Sequence, residues 1–148
     1  MFGMFDMDGV FCPDCSPETD ENESLYIEWM RNVIPHKDRI IKLFPCLAIC
    51  TGRLEKYREQ TEEWLHKNGI KYNKLIMFPG SKQDRDGGAG HALNVGNFKK
   101  QQFENQKKAK YFIESCPYQS SIISHANKEF GWTVSINEKL TYKNGKVL

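Results

Sequence analysis

Two aspartates stand two residues apart in Asp6-Met7-Asp8-Gly9-Val10, directly after the apolar run Phe2-Gly3-Met4-Phe5. Carboxylates this close repel each other unless a cation or a proton intervenes. The pair suits Mg²⁺, which takes hard oxygen ligands and needs few of them from protein. It equally suits a carboxylate nucleophile beside an acid–base carboxylate. Gly9 permits a sharp turn that a side chain would block. Alone, the motif also fits a solvated turn after an edge strand.

Three other places carry groups of the same chemistry. Leu47-Ala48-Ile49-Cys50 ends in Thr51-Gly52-Arg53. A hydroxyl at a strand end, followed by a helix N-terminus, can hold a phosphate oxygen. Arg53 adds a planar donor fork for phosphate or carboxylate, or else closes a helix end in solvent. Tyr111-Phe112-Ile113 ends in Glu114-Ser115. Glu114 completes a metal site with Asp6 if their strands are neighbours; otherwise it favours the following helix by its charge. Lys99 and Lys100 precede that strand and could reach the same mouth, or belong to the solvated lysine-rich stretch that runs to Lys110.

Cys12 and Cys15 form a C-x-x-C pair, yet no second such pair or H-x-x-x-H supplies the remaining ligands that zinc needs. Cys46 and Cys50 read as small core residues. An odd count of five cysteines without an export pattern implies reduced thiols in a cytoplasm.

The elements that must position these groups follow from hydrophobic period. Strands are expected at Phe2–Phe5, Cys46–Cys50, Leu75–Phe78, Tyr111–Ile113 and Trp132–Ile136. A helix over Leu54–Asn68 presents Leu54, Tyr57, Thr61, Trp64 and Leu65 on one face, with Gly69 at its C-terminal cap. A helix over Ser24–Asn32 turns Leu25, Trp29 and Met30 inward. A polar helix over Phe98–Lys108 is expected to be largely exposed. Another starts at Pro117 and buries Tyr118, Ile122 and Ile123. Residues 79–97, rich in glycine, read as a long irregular segment, either a lid or a solvated connection. The tail Leu140–Tyr142, Asn144-Gly145, Lys146–Leu148 reads as a hairpin with a type I′ turn. Alternating strands and helices imply an α/β fold, a parallel sheet covered on both faces, with its site beyond the carboxyl ends of the strands.

Composition bounds the rest. The 148 residues make room for one domain, 1–148, with 39% hydrophobic and 27% charged residues. A balance of 21 basic and 19 acidic residues, formally +2, gives no electrostatic case for nucleic acid or membrane. The longest apolar run, Leu43 to Cys50 with Pro45 inside it, is too short to span a bilayer. Acids at 6 and 8 without a basic flank do not make a secretory signal.

Taken in order, Met4 to Cys12, Ile49 to Tyr57, and Phe112 to Ser115 with Gln119 resemble the motifs of the haloacid dehalogenase superfamily of phosphatases and phosphotransferases. Among its members the chain is most similar to small domains found near or fused to phosphoribosyltransferases. The resemblance runs from residue 2 to about 136. It implies a Rossmann-like three-layer sandwich whose first strand lies between the strands ending at Thr51 and Glu114, with no large cap domain. It also implies roles. Asp6 is the nucleophile and Asp8 the acid–base residue. Thr51 holds phosphoryl oxygens, and Lys99, or else Lys100, neutralises charge. Mg²⁺ is held by Asp6, the Asp8 carbonyl and Glu114.

The chain departs from the family pattern at the last motif, where a glutamate stands first and Gln119 takes the place of a second acid. The function implied is a Mg²⁺-dependent phosphohydrolase acting on a small phosphorylated metabolite, a nucleotide or phosphoribosyl compound, with a functional link to a phosphoribosyltransferase. Gly52, Arg53 and Lys100 would contact the substrate, and an open mouth would be shaped by residues 11–24 and the glycine-rich segment. The softened last motif also fits a non-catalytic module that binds a phosphorylated ligand or a protein. A 3′-end phosphatase on nucleic acid would need a basic groove, which the lysines alternating around their helix do not make.

Overall fold

The computed structural model describes residues 1–36 and 45–148, so Leu43 and Phe44 lie outside it. Its strands are β1 (Phe2–Phe5), β2 (Cys46–Leu54), β3 (Lys74–Phe78), β4 (Ala109–Glu114), β5 (Trp132–Ser135), β6 (Leu140–Lys143) and β7 (Lys146–Val147). They form one sheet in the order β3-β2-β1-β4-β5-β6-β7. Strands β1 to β5 run parallel, and β6 and β7 are antiparallel additions. Asn144 and Gly145 both take positive φ, 51° and 77°, as a type I′ turn requires.

Strand β1 is the pivot, flanked by β2 and β4. Buried on both faces, such a strand reads as a continuous apolar run, which Phe2-Gly3-Met4-Phe5 is. Period two sends Phe5, Ile49, Leu75, Met77, Tyr111 and Ile113 to one face. There they meet Tyr26 and Met30 of helix α2 (Glu23–Asn32) and Trp64 and Leu65 of helix α3 (Arg58–Lys67). Met4, Ala48, Cys50 and Phe112 face the other way, onto Phe103 of α5 (His91–Asn105) and Ile123 of α6 (Pro117–Ile123). Each large apolar side chain buried here contributes ~1.5–3 kcal/mol. The result is a three-layer α/β sandwich of Rossmann type. Short helices α1 (Pro17–Asp20) and α2 are what the described residues place between β1 and β2.

Several expectations need correction. Residues 79–97 are not irregular. Ser81 and Asp84 form a reciprocal capping box that starts helix α4 (Lys82–Asp86). Helix α5 begins at His91, seven residues ahead of Phe98, after Gly90 at φ 100°. Nor is α5 mainly solvated, since it buries Val95, Gly96, Lys99 and Phe103. In α2, Leu25 is exposed and Tyr26 takes the inward place; in α6, Tyr118 is exposed. The apolar face expected over Leu54–Asn68 is buried throughout, but Leu54 ends β2 and a 3-10 turn over Glu55–Tyr57 precedes α3.

Gly96 fixes how close α5 comes to α6. A Cβ there would lie 2.7 Å from Ile122 Cδ1 and 3.3 Å from Ile122 Cβ on α6. Gly96→Ala should therefore be nearly neutral, the helix propensity gained offsetting a small shift of Ile122. Gly96→Leu should cost about 1–3 kcal/mol by overpacking, read from the urea unfolding midpoint. Equal stability of the two variants would mean that the α5–α6 contact is not tight.

Candidate active site

The sheet order delivers three motifs to one mouth. The Asp6 amide donates to Ile113 O at 2.9 Å, tying the end of β1 to β4. Asp6 Oδ1 then accepts from the Met7 amide at 2.8 Å and from Lys99 Nζ at 2.9 Å. The same ammonium donates to Glu114 Oε2 and to Gln119 Oε1, each at 2.8 Å. An ammonium has three donors, and each finds one acceptor here. Glu114 Oε1 accepts from the Cys116 amide at 3.2 Å. Asp6, Lys99 and Glu114 are all buried. Burial opposes the charge on Lys99, but Asp6 and Glu114 outweigh it and hold its pKa above the ordinary value. Burial, then the Asp6 charge, push Glu114 up, while Lys99 opposes them.

The turn after β1 places the second aspartate. Gly9 donates to Cys12 O at 2.6 Å, and Phe11 donates to Met7 O at 2.8 Å. Gly9 has φ 83°, and a Cβ on it would fall 2.3 Å from Ser115 Oγ, so only glycine fits. Ser115 Oγ in turn lies 3.4 Å from Asp6 Oδ2 and 3.1 Å from the Asp8 carbonyl oxygen. The Ser115 hydroxyl thus stands as a donor within hydrogen-bond reach of both Asp6 and the Asp8 carbonyl. Carboxylate and carbonyl oxygens of this kind are the donor type that a hard cation such as Mg²⁺ takes. Glu114 instead turns its oxygens to Lys99 and Cys116, and among the described residues no group of three or more His, Cys, Asp or Glu stands ready to hold a metal.

Arg53 sits differently from either sequence expectation. An irregularity in the β2–β3 register between Thr51 and Leu54 carries Gly52 and Arg53 within the strand, so no helix starts at Gly52. Arg53 is buried, and its fork grips Asp8 with Nε to Oδ2 at 3.0 Å and Nη2 to Oδ1 at 2.7 Å. Its Nη1 donates to Thr61 Oγ1 at 3.3 Å, and its guanidinium lies 5.4 Å from the Trp29 ring centroid. Burial alone would raise the Asp8 carboxyl; Arg53 more than reverses this and holds it below its ordinary value. Thr51 Oγ1 accepts from the Arg53 amide at 3.1 Å while lining the cavity. Cys12 is buried against Asp8, its thiol donating to Oδ1 at 3.4 Å; burial and Asp8 push that thiol up, unlike a reactive or ligating cysteine.

These groups open into one cavity of about 530 Å³. Asp6, Asp8, Thr51, Gly52, Arg53, Lys99 and Glu114 all line it. Lys100, one residue along α5, does not, so spacing along the helix selects Lys99. Asp14 and Asp20, from residues 11–24, and Arg85 and His91, from the glycine-rich segment, line it too, where the expected open mouth puts them, whereas Tyr26 and Asn137 are unanticipated. The capping box at Ser81 was the legible signal for the helix that carries Arg85; nothing in the sequence marked Asn137. Lys82 Nζ reaches Asp20 Oδ2 at 3.5 Å, joining α4 to α1. No helix among the described residues is long and apolar enough to cross a membrane.

No family model matches the chain, and no curated protein matches it. Among solved structures it is similar to a chain of the Pnkp1/Rnl/Hen1 RNA repair complex, at a TM-score of 0.61 and 14% identity. The match covers 97% of this chain and 43% of that one, so this chain spans less than half of that chain's length. At that identity the likeness is one of fold alone.

Arg53→Met strands a largely buried carboxylate and should cost about 2–4 kcal/mol at pH 7 in urea unfolding. In the wild type, the lowered pKa of Asp8 makes its contribution complete above the ordinary value of 3.8 and lost as pH falls through the lowered one. In the variant, burial without the arginine raises Asp8, so acidification from pH 7 toward 4 protonates it and narrows the deficit. A deficit that stays constant over that range would mean that Arg53 does not control Asp8.

Proposed function

We propose that the chain is a Mg²⁺-dependent phosphohydrolase of the haloacid dehalogenase type, working through an aspartyl-phosphate on Asp6. The observation that carries this reading is the contact of Lys99 Nζ with Asp6 at 2.9 Å, at a cavity mouth shared with Asp8 and Thr51. An oxygen of Asp6 attacks phosphorus, and the bond to the leaving oxygen breaks. Asp8 gives that oxygen a proton, then takes one from the water that releases phosphate. Thr51 and Lys99 hold the phosphoryl oxygens, since phosphoryl transfer asks mainly for positioning and charge neutralisation. Asp8 can act as an acid only when the Arg53 fork leaves it, and the incoming phosphate is the anion that competes for that fork.

Charge supports the metal. Five carboxyl groups (Asp6, Asp8, Asp14, Asp20, Glu114) line the cavity against Arg53, Arg85 and Lys99, and burial together with neighbouring acids pushes Glu114 and Asp14 up. A phosphate dianion would be repelled there without a divalent cation. Asp6 and the Asp8 carbonyl would hold Mg²⁺, with Ser115 beside them, and when bound it would screen the charge between nucleophile and phosphate. Glu114 would serve through water or through Lys99. The substrate favoured is a nucleotide or phosphoribosyl compound in a cytoplasm, and a phosphoribosyltransferase is its proposed functional neighbour. The cavity volume lies within the ~300–1,000 Å³ of pockets that hold such molecules.

A second reading rests on Glu114 and Gln119 being spent on Lys99. In it, the chain binds a phosphorylated ligand, or a protein, without turning it over. Phosphate release from mononucleotides, sugar phosphates and a 3′-phosphorylated oligonucleotide, with and without Mg²⁺, separates the two. The enzyme reading expects Mg²⁺-dependent release that Asp6→Asn abolishes and Asp8→Asn strongly reduces. Thr51→Val should weaken vanadate binding about tenfold. Tight ligand binding without release at high Mg²⁺ would favour the module.

A further inference from the structure

Tyr26, on α2, lines the cavity and is only 6% exposed. Its ring is clamped. It stacks on Trp29, with centroids 5.8 Å and planes 23° apart, and meets the Tyr57 ring edge-on at 5.1 Å. The Tyr57 hydroxyl donates to Glu23 Oε1 at 3.4 Å, whereas the Tyr26 hydroxyl makes no hydrogen bond among the described residues. The charges that act on it are those of Asp8, Arg53, Arg85 and Asp20, and all four side chains line the cavity. The phenol oxygen therefore faces the cavity rather than the core. Burial, then the Asp8 charge, hold the phenol above its ordinary value, so it keeps its proton and stands as a donor. Arg53 rests on the same platform, its guanidinium 5.4 Å from the Trp29 ring centroid. One indole thus positions phenol and guanidinium together. A phenylalanine would make the same ring contacts, so the hydroxyl adds nothing to the packing of the free protein.

We infer that Tyr26 is a ligand-binding residue whose hydroxyl donates to an oxygen of the phosphate group that enters beside Arg53. This rests on the phosphohydrolase reading for the arrival of that group, and a module that only binds it would use the hydroxyl in the same way. The neighbouring donors decide what the hydroxyl meets. A donor beside a guanidinium calls for an acceptor, and an anionic oxygen suits both at once. At rest Asp8 occupies the Arg53 fork, at 3.0 Å from Nε and 2.7 Å from Nη2, and no hydrogen bond links it to Tyr26. When an anion takes over the fork, the Tyr26 hydroxyl is a neighbouring donor with no bond to give up. Arg85 differs, since Nε and Nη2 are held by Asp86 and Nη1 by Gly52 O. The clamped phenol also loses little freedom when it binds, which favours it as a contact.

The test compares the unaltered chain with Tyr26→Phe, which keeps the ring against Trp29 and Tyr57. Two quantities are read: the calorimetric affinity for inorganic phosphate in the presence of Mg²⁺, and the urea unfolding midpoint without ligand. Phosphate affinity should fall about tenfold, as for the loss of one hydrogen bond to a charged group. The midpoint should stay unchanged or rise, because the hydroxyl has no partner in the free protein to lose. The pairing separates binding from structure, since a hydroxyl engaged within the fold would lower the midpoint. Undiminished phosphate affinity in Tyr26→Phe, a lowered midpoint, or no phosphate binding by the unaltered chain would overturn the inference. Failure of the phosphohydrolase reading shows elsewhere, as an absence of phosphate release from esters by the unaltered chain, and leaves both phosphate affinities measurable.

Discussion

An ammonium buried between two carboxylates governs the arrangement of this molecule. Lys99 is nearly inaccessible, and a buried charge is costly unless it is paired and hydrogen-bonded throughout. Its acceptors come from three elements: Asp6 at the end of β1, Glu114 at the end of β4, and Gln119 on α6. The fold must therefore bring α5 close enough for a lysine to cross from one layer into the mouth of the sheet. Gly96, one turn earlier on the same helix face, removes the side chain that would keep α5 from α6. Gly52 does the same against Val95, where a Cβ would stand 2.9 Å from Cγ1. Residues that look permissive in the sequence are the conditions for one ion cluster.

A second tie, Arg53 to Asp8, divides the labour of the two aspartates. Asp6 is held by Lys99 and by the Met7 amide, the position that the proposed nucleophile requires. Asp8 is held by a fork whose other ties, to Thr61 and the face of Trp29, keep it pointed at the mouth. That fork fits a carboxylate and a phosphate alike, so a phosphorylated ligand competes with Asp8 for the same donors. At rest both aspartates are thus paired, Asp6 with Lys99 and Asp8 with Arg53. Thr51 and Gly52 link the arrangement to α4, because the Gly52 carbonyl accepts from Arg85.

Much of this was legible in the residues. Apolar runs of period two marked the parallel strands, and their acidic or hydroxyl-bearing ends marked the mouth. Asn144-Gly145 specified the hairpin through its positive φ values. The misses have physical causes. Glycine density in 79–97 suggests irregular chain, yet Gly80, Gly87, Gly88 and Gly90 flank α4, which the Ser81–Asp84 box begins, and the start of α5, while Gly96 lies within α5. Leu25 and Tyr118 were placed inward by hydrophobicity, though the helices turn Tyr26, Ile123 and the small Ser120 to the core. The depth to which Lys99 and Arg53 are buried is not legible, because a lysine or arginine is ordinarily solvated. What reverses that expectation is a partner distant in sequence, Asp6 for one and Asp8 for the other.

The central claim is that Asp6 and Lys99 form one functional unit with Thr51 across the mouth of the sheet. A crystal of the chain grown with Mg²⁺ and beryllofluoride, a mimic of the phosphoryl group on a carboxylate, tests it most directly. The account expects the mimic on an Asp6 oxygen, with Thr51 Oγ1 and Lys99 Nζ in hydrogen-bond reach and the Arg53 fork drawn off Asp8. A mimic bound away from Asp6, or an Asp6 still bare with Mg²⁺ absent from the Asp8 carbonyl at saturating concentrations, would contradict it.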